Sequence, residues 1–232
     1  MDHDSGSVVW AAEGKSSATL KEFFEALGPE RRKELKLVTM DMSAAYQKAV
    51  REAIPHAEIV FDRFHLARLA HEALKAVQRE LREALNRHTK VHGREATKGL
   101  RWILLMRPER LNAAQEQRLS ALAKINKPLY RAYLLKEAFL DLFHSGTGKE
   151  ARDGLDRWLA WASRSRLSPF VKLARTVRRH RDGILRAFEL PFSNALLEGT
   201  NNKIRLLSQR AYDFHSAAAL IAMIYLCCSA IN

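Results

Sequence analysis

Three carboxylates stand out by what surrounds them. Asp41 and Asp62 each follow a β-rich run directly, "LKLVTM" before Asp41 and "AEIVF" before Asp62. Glu198 lies in "SNALLEGTNNKIRLLSQRAYDF" (193–214), among amides, and only basic charged side chains follow it until Asp213. In an open parallel sheet, ligand chemistry gathers at the carboxyl ends of the strands. Carboxylates brought together from a strand end and a helix can hold Mg²⁺ or Mn²⁺, hard cations that prefer oxygen. Two such ions activate an attacking oxygen and stabilise a leaving one in phosphoryl transfer. Lys203, Arg205 and Arg210, close to Glu198 in sequence, suit a phosphate backbone. Each feature also has a plainer reading. Asp often ends a strand and caps the next helix, although Ser43 offers an alternative cap after Asp41. Glu198 also fits a solvated helix face.

Helical spacing sharpens the Glu198 segment. At about 100° per residue, Asn194, Glu198, Asn201, Asn202, Arg205 and Gln209 share one face. Leu196, Leu197, Thr200, Ile204 and Leu207 share the other, so the helix packs by the side opposite Glu198. Gly199 costs about 1 kcal/mol relative to Ala in a helix, which points to close approach of something there.

The elements that must position these groups change character at Asp62. "SVVWAA" (7–12) reads as a strand and "SATLKEFFEALG" (17–28) as a helix that stops at Gly28. Residues 35–40 read as a strand, 43–54 as a helix capped by Ser43 and closed before Pro55, and 57–61 as a strand. That alternation predicts an α/β layer with parallel pairing. From 63 to about 230 the pattern is helical, with no convincing strand. A long amphipathic helix comes first, and further helices follow at roughly 98–106, 112–125, 128–144, 149–165, 169–188, 193–209 and 215–230.

Composition narrows the partners. Lys and Arg total 39 against 26 acidic residues, for a formal charge of +13 and a pI near 10.0. That excess favours polyanions such as DNA, RNA or an anionic membrane surface. "RTVRRHR" (175–181), with Arg178 and Arg179, either contacts phosphate or forms a solvated basic face. Cys227 and Cys228 are adjacent and are the only cysteines, which excludes a disulfide framework or a four-cysteine zinc site and fits a reducing compartment. The polar opening "MDHDSGS" carries no signal-peptide pattern. The longest apolar run, 217–231, is shorter than the roughly 20 residues of a membrane span and reads as a buried helix. Trp102, Trp158 and Trp161 have apolar helical neighbours, which favours core packing over base stacking. His65 and His71 are six apart, the wrong spacing for paired ligands on one helix face.

Two segments, "VTMDMSAAYQKAVREAIPHAEIVFDRFHL" (38–66) and "SNALLEGTNNKIRLLSQRAYDFHS" (193–216), closely resemble the catalytic region of bacterial insertion-sequence transposases of the ISL-three group. "GLRWILL" (99–105), "LYRAYLLKEAF" (129–139) and "SPFVKLARTVRRHRDGILRAF" (168–188) extend the likeness over nearly the whole chain. The resemblance implies a DDE-type enzyme of α/β class, mainly α by content: a ribonuclease-H-like core interrupted by a large all-helical insertion. The first part of the core would be 1–62, the insertion 63–190, and the C-terminal core helices 191–232. It implies Asp41 as the second catalytic Asp and Glu198 as the catalytic Glu, binding two Mg²⁺ or Mn²⁺ ions. Asp62, Arg63 and His65 match the family's "DRFH", with Asp62, His65, Asn201 and Asn202 in supporting roles. The implied chemistry is cleavage at element ends by water, then joining of the 3′-hydroxyl to target DNA. The implied setting is a homo-oligomer on DNA in the bacterial cytoplasm, at the nucleoid and away from membrane.

The sequence departs from the family pattern at its start. The family's first catalytic Asp lies on a strand upstream of the hairpin leading into "DHDSGSVVW", and Asp2 and Asp4 match hairpin-turn residues instead. The expectation is therefore an incomplete core without that Asp, and without the N-terminal zinc and helix-turn-helix modules. A chain of that kind would cut DNA poorly alone, and the alternative role is a catalytically dead DNA-binding or dimerising remnant. Ala195 and Asp213 stand where relatives commonly carry Gly, and Asp213 places a negative charge beside the expected DNA surface.

Overall fold

The computed structural model describes residues 1–88, 99–144, 148–190, 195–210 and 214–229. The chain divides into two compact units, Met1–Asp62 with Pro191–Asn232, and Arg63–Leu190. It is mainly helical, with a small parallel sheet in the first unit.

In the first unit, β1 (Leu37–Met40) pairs in parallel with β2 (Glu58–Phe61), Leu37 opposite Glu58 and Met40 opposite Phe61. Parallel neighbours need a crossover, and α2 (Ala44–Ala53) supplies it. Ser43 starts α2 by accepting from the Tyr46 amide, and the helix closes at Ile54, before Pro55. α1 (Ser17–Glu34) is capped by Ser16 and breaks at Gly28, whose φ of 77° suits glycine. The break falls where expected, but Pro29 opens a further helical stretch that reaches Glu34. Phe24 of α1 and Val50 and Ile54 of α2 form the local core, with Val38, Met40 and Ile59 packed against them. Each such side chain contributes about 1.5–3 kcal/mol by leaving water.

Two expectations fail in this unit. Residues 7–12 form no strand. Their backbone instead meets the end of α11 (Ala217–Cys228): the Val8 amide donates to the Cys228 carbonyl (2.8 Å), and the Ala11 amide to the Tyr225 hydroxyl (2.9 Å). The Ser229 hydroxyl donates in turn to the Val8 carbonyl (2.7 Å). The last carbonyls of a helix lack intrahelical donors, and here they capture a segment that was expected to seek a sheet. The second failure is α11 itself. Among its residues only Ile224 is buried, and Leu226 is 62% exposed. The helix packs on α10 (Ala195–Arg210) and bonds the 8–11 segment, and neither covers its Leu226 side.

The second unit contains α3 (Arg63–His88), α4 (Leu100–Leu105), a 3-10 turn at Pro108–Arg110, α5 (Ala113–Ile125), α6 (Lys127–Asp141), α7 (Lys149–Arg164), α8 (Ser168–Arg179) and α9 (Arg181–Glu189). It has no strand among its described residues. The helix expected over 169–188 is two helices, parted at His180 with φ −111° and ψ 24°. Leu66, Ala70, Leu74 and Val77 form the buried stripe of α3, which packs on α6. Of the three tryptophans expected in the core, Trp158 is buried and donates to the Leu135 carbonyl at 2.9 Å. Trp102 is 68% and Trp161 38% exposed, so both depart from that expectation. Arg63 donates to the carbonyls of Ala187, Phe188 and Leu190, tying the start of α3 to the end of α9. A guanidinium there meets both the orphan carbonyls and the negative end of the helix dipole.

A charge pair lies inside this unit. Lys136 is fully buried, pairs with Glu137, and donates to the carbonyls of Leu104 (3.0 Å) and Met106 (3.4 Å) at the end of α4. Arg107 bridges Glu137 (3.2 Å) and Asp141 (2.8 Å). Burial pushes the Lys136 ammonium down and the Glu137 carboxyl up, each opposed by its partner. Burial, then the charges of Lys136 and Lys75, holds the His71 imidazole below its ordinary value. Its Nδ1 is buried with no hydrogen-bond partner among the described residues.

A lowered folded-state pKa means that the unfolded chain takes up a proton more readily than the folded one. His71 therefore removes stability as pH falls below about 6.5. Urea midpoints at about pH 7.5 and pH 5.5 should drop further for wild type than for His71→Leu. Equal drops in the two proteins would count against a buried neutral imidazole.

Candidate metal and nucleic-acid site

Asp41 directly follows β1 and Asp62 directly follows β2. Because Met40 stands opposite Phe61, Asp41 and Asp62 stand opposite each other at the carboxyl edge of the sheet. Neighbouring strands lie about 4.8 Å apart, so the two backbones carry carboxylates side by side. The ladder continues to this point, with the Asp62 amide donating to the Met40 carbonyl at 3.1 Å. Asp41 is exposed and Asp62 half-buried. The Asp41 carbonyl accepts from the Ser43 amide (2.8 Å), while Ser43, and not Asp41, caps α2 with its side chain. The plainer reading of Asp41 as a helix cap is thus replaced.

A cleft of about 1120 Å³ runs along β1 within this unit, with Asp41, Val38 and Thr39 on the sheet side and Trp10, Phe23 and Leu27 among its apolar walls. His3 Nε2 reaches Thr39 Oγ1 across it at 2.6 Å. Asp2 is engaged in its own turn. It accepts from the hydroxyl and amide of Ser5 and from the Asp4 amide, and the Ser5 bonds hold its carboxyl below the usual range.

Glu198 belongs to α10, and its side chain lies outside the described part of the structure. Asn194 and Asp213 also lie outside it, as does the side chain of Ala195. Further along α10, Asn201, Asn202, Lys203, Arg205 and Arg210 are exposed, whereas Thr200, Ile204 and Leu207 are half-buried. The helix therefore packs by the apolar side. Arg205 donates to the Asn202 side chain at 3.1 Å. Lys203 donates to the Cys227 carbonyl at the end of α11, which commits one of its three protons. A Cβ at Gly199 would meet nothing within 4 Å, so no described part of the chain crowds that glycine.

In the second unit, His65 Nδ1 is 2.8 Å from an Arg68 nitrogen. Arg178 and Arg179 are exposed on α8, and Arg178 donates to the Ser163 hydroxyl at 3.2 Å. Among the described residues no three His, Cys, Asp or Glu side chains converge as a metal site. Asp41 and Asp62 still provide the oxygen donors that a hard divalent cation takes. Sequence reasoning gave Asp62 a supporting part, and both aspartates follow parallel strands at the same position. No helix among the described residues is long and apolar enough to cross a membrane.

The chain matches the family described as Transposase, of the ISL3 group, over residues 1–224. It is 40% identical to the transposase for insertion sequence element IS1557 of Mycobacterium tuberculosis, over 96% of this chain and 54% of that protein. It is 30% identical to the transposase for insertion sequence element IS1001 of Bordetella parapertussis, over 92% of this chain and 52% of that protein. The chain thus spans about half the length of the curated relatives it matches. No solved structure matches it. With a family match over nearly its whole length and relatives at that identity, the chain belongs to the ISL3 family of insertion-sequence transposases.

Proposed function

We propose that this chain supplies the catalytic centre of a metal-dependent DNA transposase, with Asp41 and Glu198 as two of its metal-binding carboxylates. The observation that carries the reading is the pairing of β1 with β2, which puts Asp41 beside Asp62 at the carboxyl edge of a parallel sheet. The sheet and α10 together are then part of a ribonuclease-H-like core, and Arg63–Leu190 is its helical insertion. Mg²⁺ or Mn²⁺ ions, when bound, supply positive charge against the attacking and leaving oxygens at the scissile phosphate. Asp41 and Glu198 hold that charge in place, and Asp62 supports them. Asn201 and Asn202 offer side-chain amides on the exposed face of α10. Lys203, Arg205 and Arg210 neutralise the DNA backbone beside it. The partners are insertion-sequence ends and target DNA, engaged by a homo-oligomer at the bacterial nucleoid.

A second reading is a DNA-binding or dimerising remnant without cleavage. It is favoured by the formal charge of +13, which suits a DNA partner with or without cleavage. Mn²⁺ titration followed by electron paramagnetic resonance separates the two. The catalytic reading expects the chain to bind Mn²⁺, and both Asp41→Asn and Glu198→Gln to weaken it by at least about tenfold, roughly 1.4 kcal/mol. Binding indifferent to both substitutions would remove Asp41 and Glu198 as metal ligands and leave the remnant reading.

A further inference from the structure

Between Arg157 and Arg181 the chain carries eight Lys and Arg residues and no Asp or Glu. This run folds as the last turns of α7, a short connection and all of α8. On α8 the buried side is Phe170, Leu173, Ala174 and Val177. The opposite side presents Lys172, Arg175, Arg178 and Arg179, all exposed. Lys172, Arg175 and Arg179 follow i, i+3, i+7 spacing, one stripe spanning about 10 Å. On α7, Arg157, Trp161 and Arg164 follow i, i+4, i+7 spacing on its exposed side.

Several surface cations outside this run pair with carboxylates: Lys21 and Lys48 with Glu52, Lys33 with Glu30, Arg68 with Glu72, and Arg186 with Glu189. Within the acid-free run, Arg181 alone has a carboxylate partner among the described residues, Asp156 at 2.9 Å. Arg164 donates to the Ala160 carbonyl and Arg178 to the Ser163 hydroxyl, and neither bond neutralises charge. An ordinary solvated surface intersperses both signs. Single-sign charge without internal partners raises the energy of the folded chain unless an anion meets it. The connection adds a second cost: Arg166 has φ 60°, the one non-glycine residue in the left-handed region among those described. That conformation costs about 1–2 kcal/mol.

We infer that the exposed α7–α8 face grips the phosphate backbone of duplex DNA without reading its sequence and without divalent metal. The inference rests on the transposase reading for its choice of DNA as the polyanion. The stripe on α8 meets the strand spacing of about 3.4 Å per phosphate along the duplex axis, so one stripe faces several phosphates. Its exposed side chains are cations with Ser168, types that meet phosphate oxygens; Arg and Lys can also take guanine, which the comparison of unrelated duplexes below tests. The helical unit therefore holds DNA by charge, and the carboxylate site acts elsewhere.

The test is equilibrium binding of the full chain to labelled duplexes, followed by fluorescence anisotropy between about 50 and 200 mM salt. EDTA should leave the affinity unchanged. Two duplexes of unrelated sequence should bind within about threefold of each other, the tolerance of a purely electrostatic grip. The triple variant Lys172→Gln, Arg175→Gln, Arg179→Gln should lower the slope of log K against log salt by about 2 to 3, and Arg175→Gln alone by about 1. The triple Lys21→Gln, Lys33→Gln, Lys48→Gln removes the same charge from an ion-paired surface and should leave the slope unchanged. An unchanged slope in both α8 variants, or an equal fall in the control, would overturn the inference. If wild type binds duplex steeply and Asp41→Asn loses Mn²⁺ while the α8 variants behave as wild type, this inference fails and the catalytic reading stands. If wild type binds no duplex, this inference fails, and the Mn²⁺ titration decides the catalytic reading separately.

Discussion

Replacing Lys136 with Ala should cost the helical unit about 3–5 kcal/mol, read as a lowered urea midpoint. The substitution leaves Glu137 buried with only Arg107 as counter-charge, and it strips the donors from the carbonyls of Leu104 and Met106. The large figure comes from the stranded groups and not from the intrinsic worth of the pair. Two charges taken out of water give back in attraction about what they lose in hydration, so removing both is far cheaper than removing one. The double variant Lys136→Met, Glu137→Leu should accordingly recover most of the loss. A single-variant cost below about 1 kcal/mol, the range of an exposed pair, would mean that water reaches Lys136.

The second large effect is on chemistry. In a protein of the relatives' full length, Asp41→Asn should slow metal-dependent strand cleavage at element ends by at least about a hundredfold, and Glu198→Gln should do the same. The double variant should be little worse than either single, because ligands of one metal site act as a unit. Asp62→Asn should fall short of both under the proposed supporting role of Asp62. Duplex affinity in EDTA should be unchanged in all of them. Cleavage that survives Asp41→Asn would displace Asp41 from the centre, whatever its place in the sheet.

Much of the first unit was legible because its signals are local. Ser43 and Pro55 bracket α2, and two short β-rich runs on either side of it read as parallel strands. The placement of Asp41 and Asp62 follows from those same runs. What failed depended on distant partners. Residues 7–12 have strand composition, but their hydrogen bonds end on a helix terminus more than 200 positions away. Residues 217–228 are apolar on every side, which says that the helix can be covered and not that a neighbour covers it. In "LYRAYLLKEAF" the adjacent Lys136 and Glu137 look like the wet side of an amphipathic helix. They are buried because α6 packs against α3, α5 and α7, leaving few dry-to-wet boundaries. The parting at His180 has no Gly or Pro to announce it. As for Glu198, helical spacing marks the amide-rich face that holds it, whereas the tertiary partner of a carboxylate is nothing that periodicity encodes.

The bonds that join Val8 and Ala11 to Tyr225, Cys228 and Ser229 also set an order of events during synthesis. The helical unit is one uninterrupted stretch of chain, Arg63–Leu190, and all of it has been synthesised before Pro191 is added. The sheet-bearing unit has to wait. Its opening segment cannot settle until residues 225–229 emerge, so it spans a closure of more than 200 residues, and contacts of that separation form slowly. Domains generally fold as units during synthesis. The chain of the basic helical unit is therefore complete while the segment around Val8 and Ala11 still lacks its C-terminal partners.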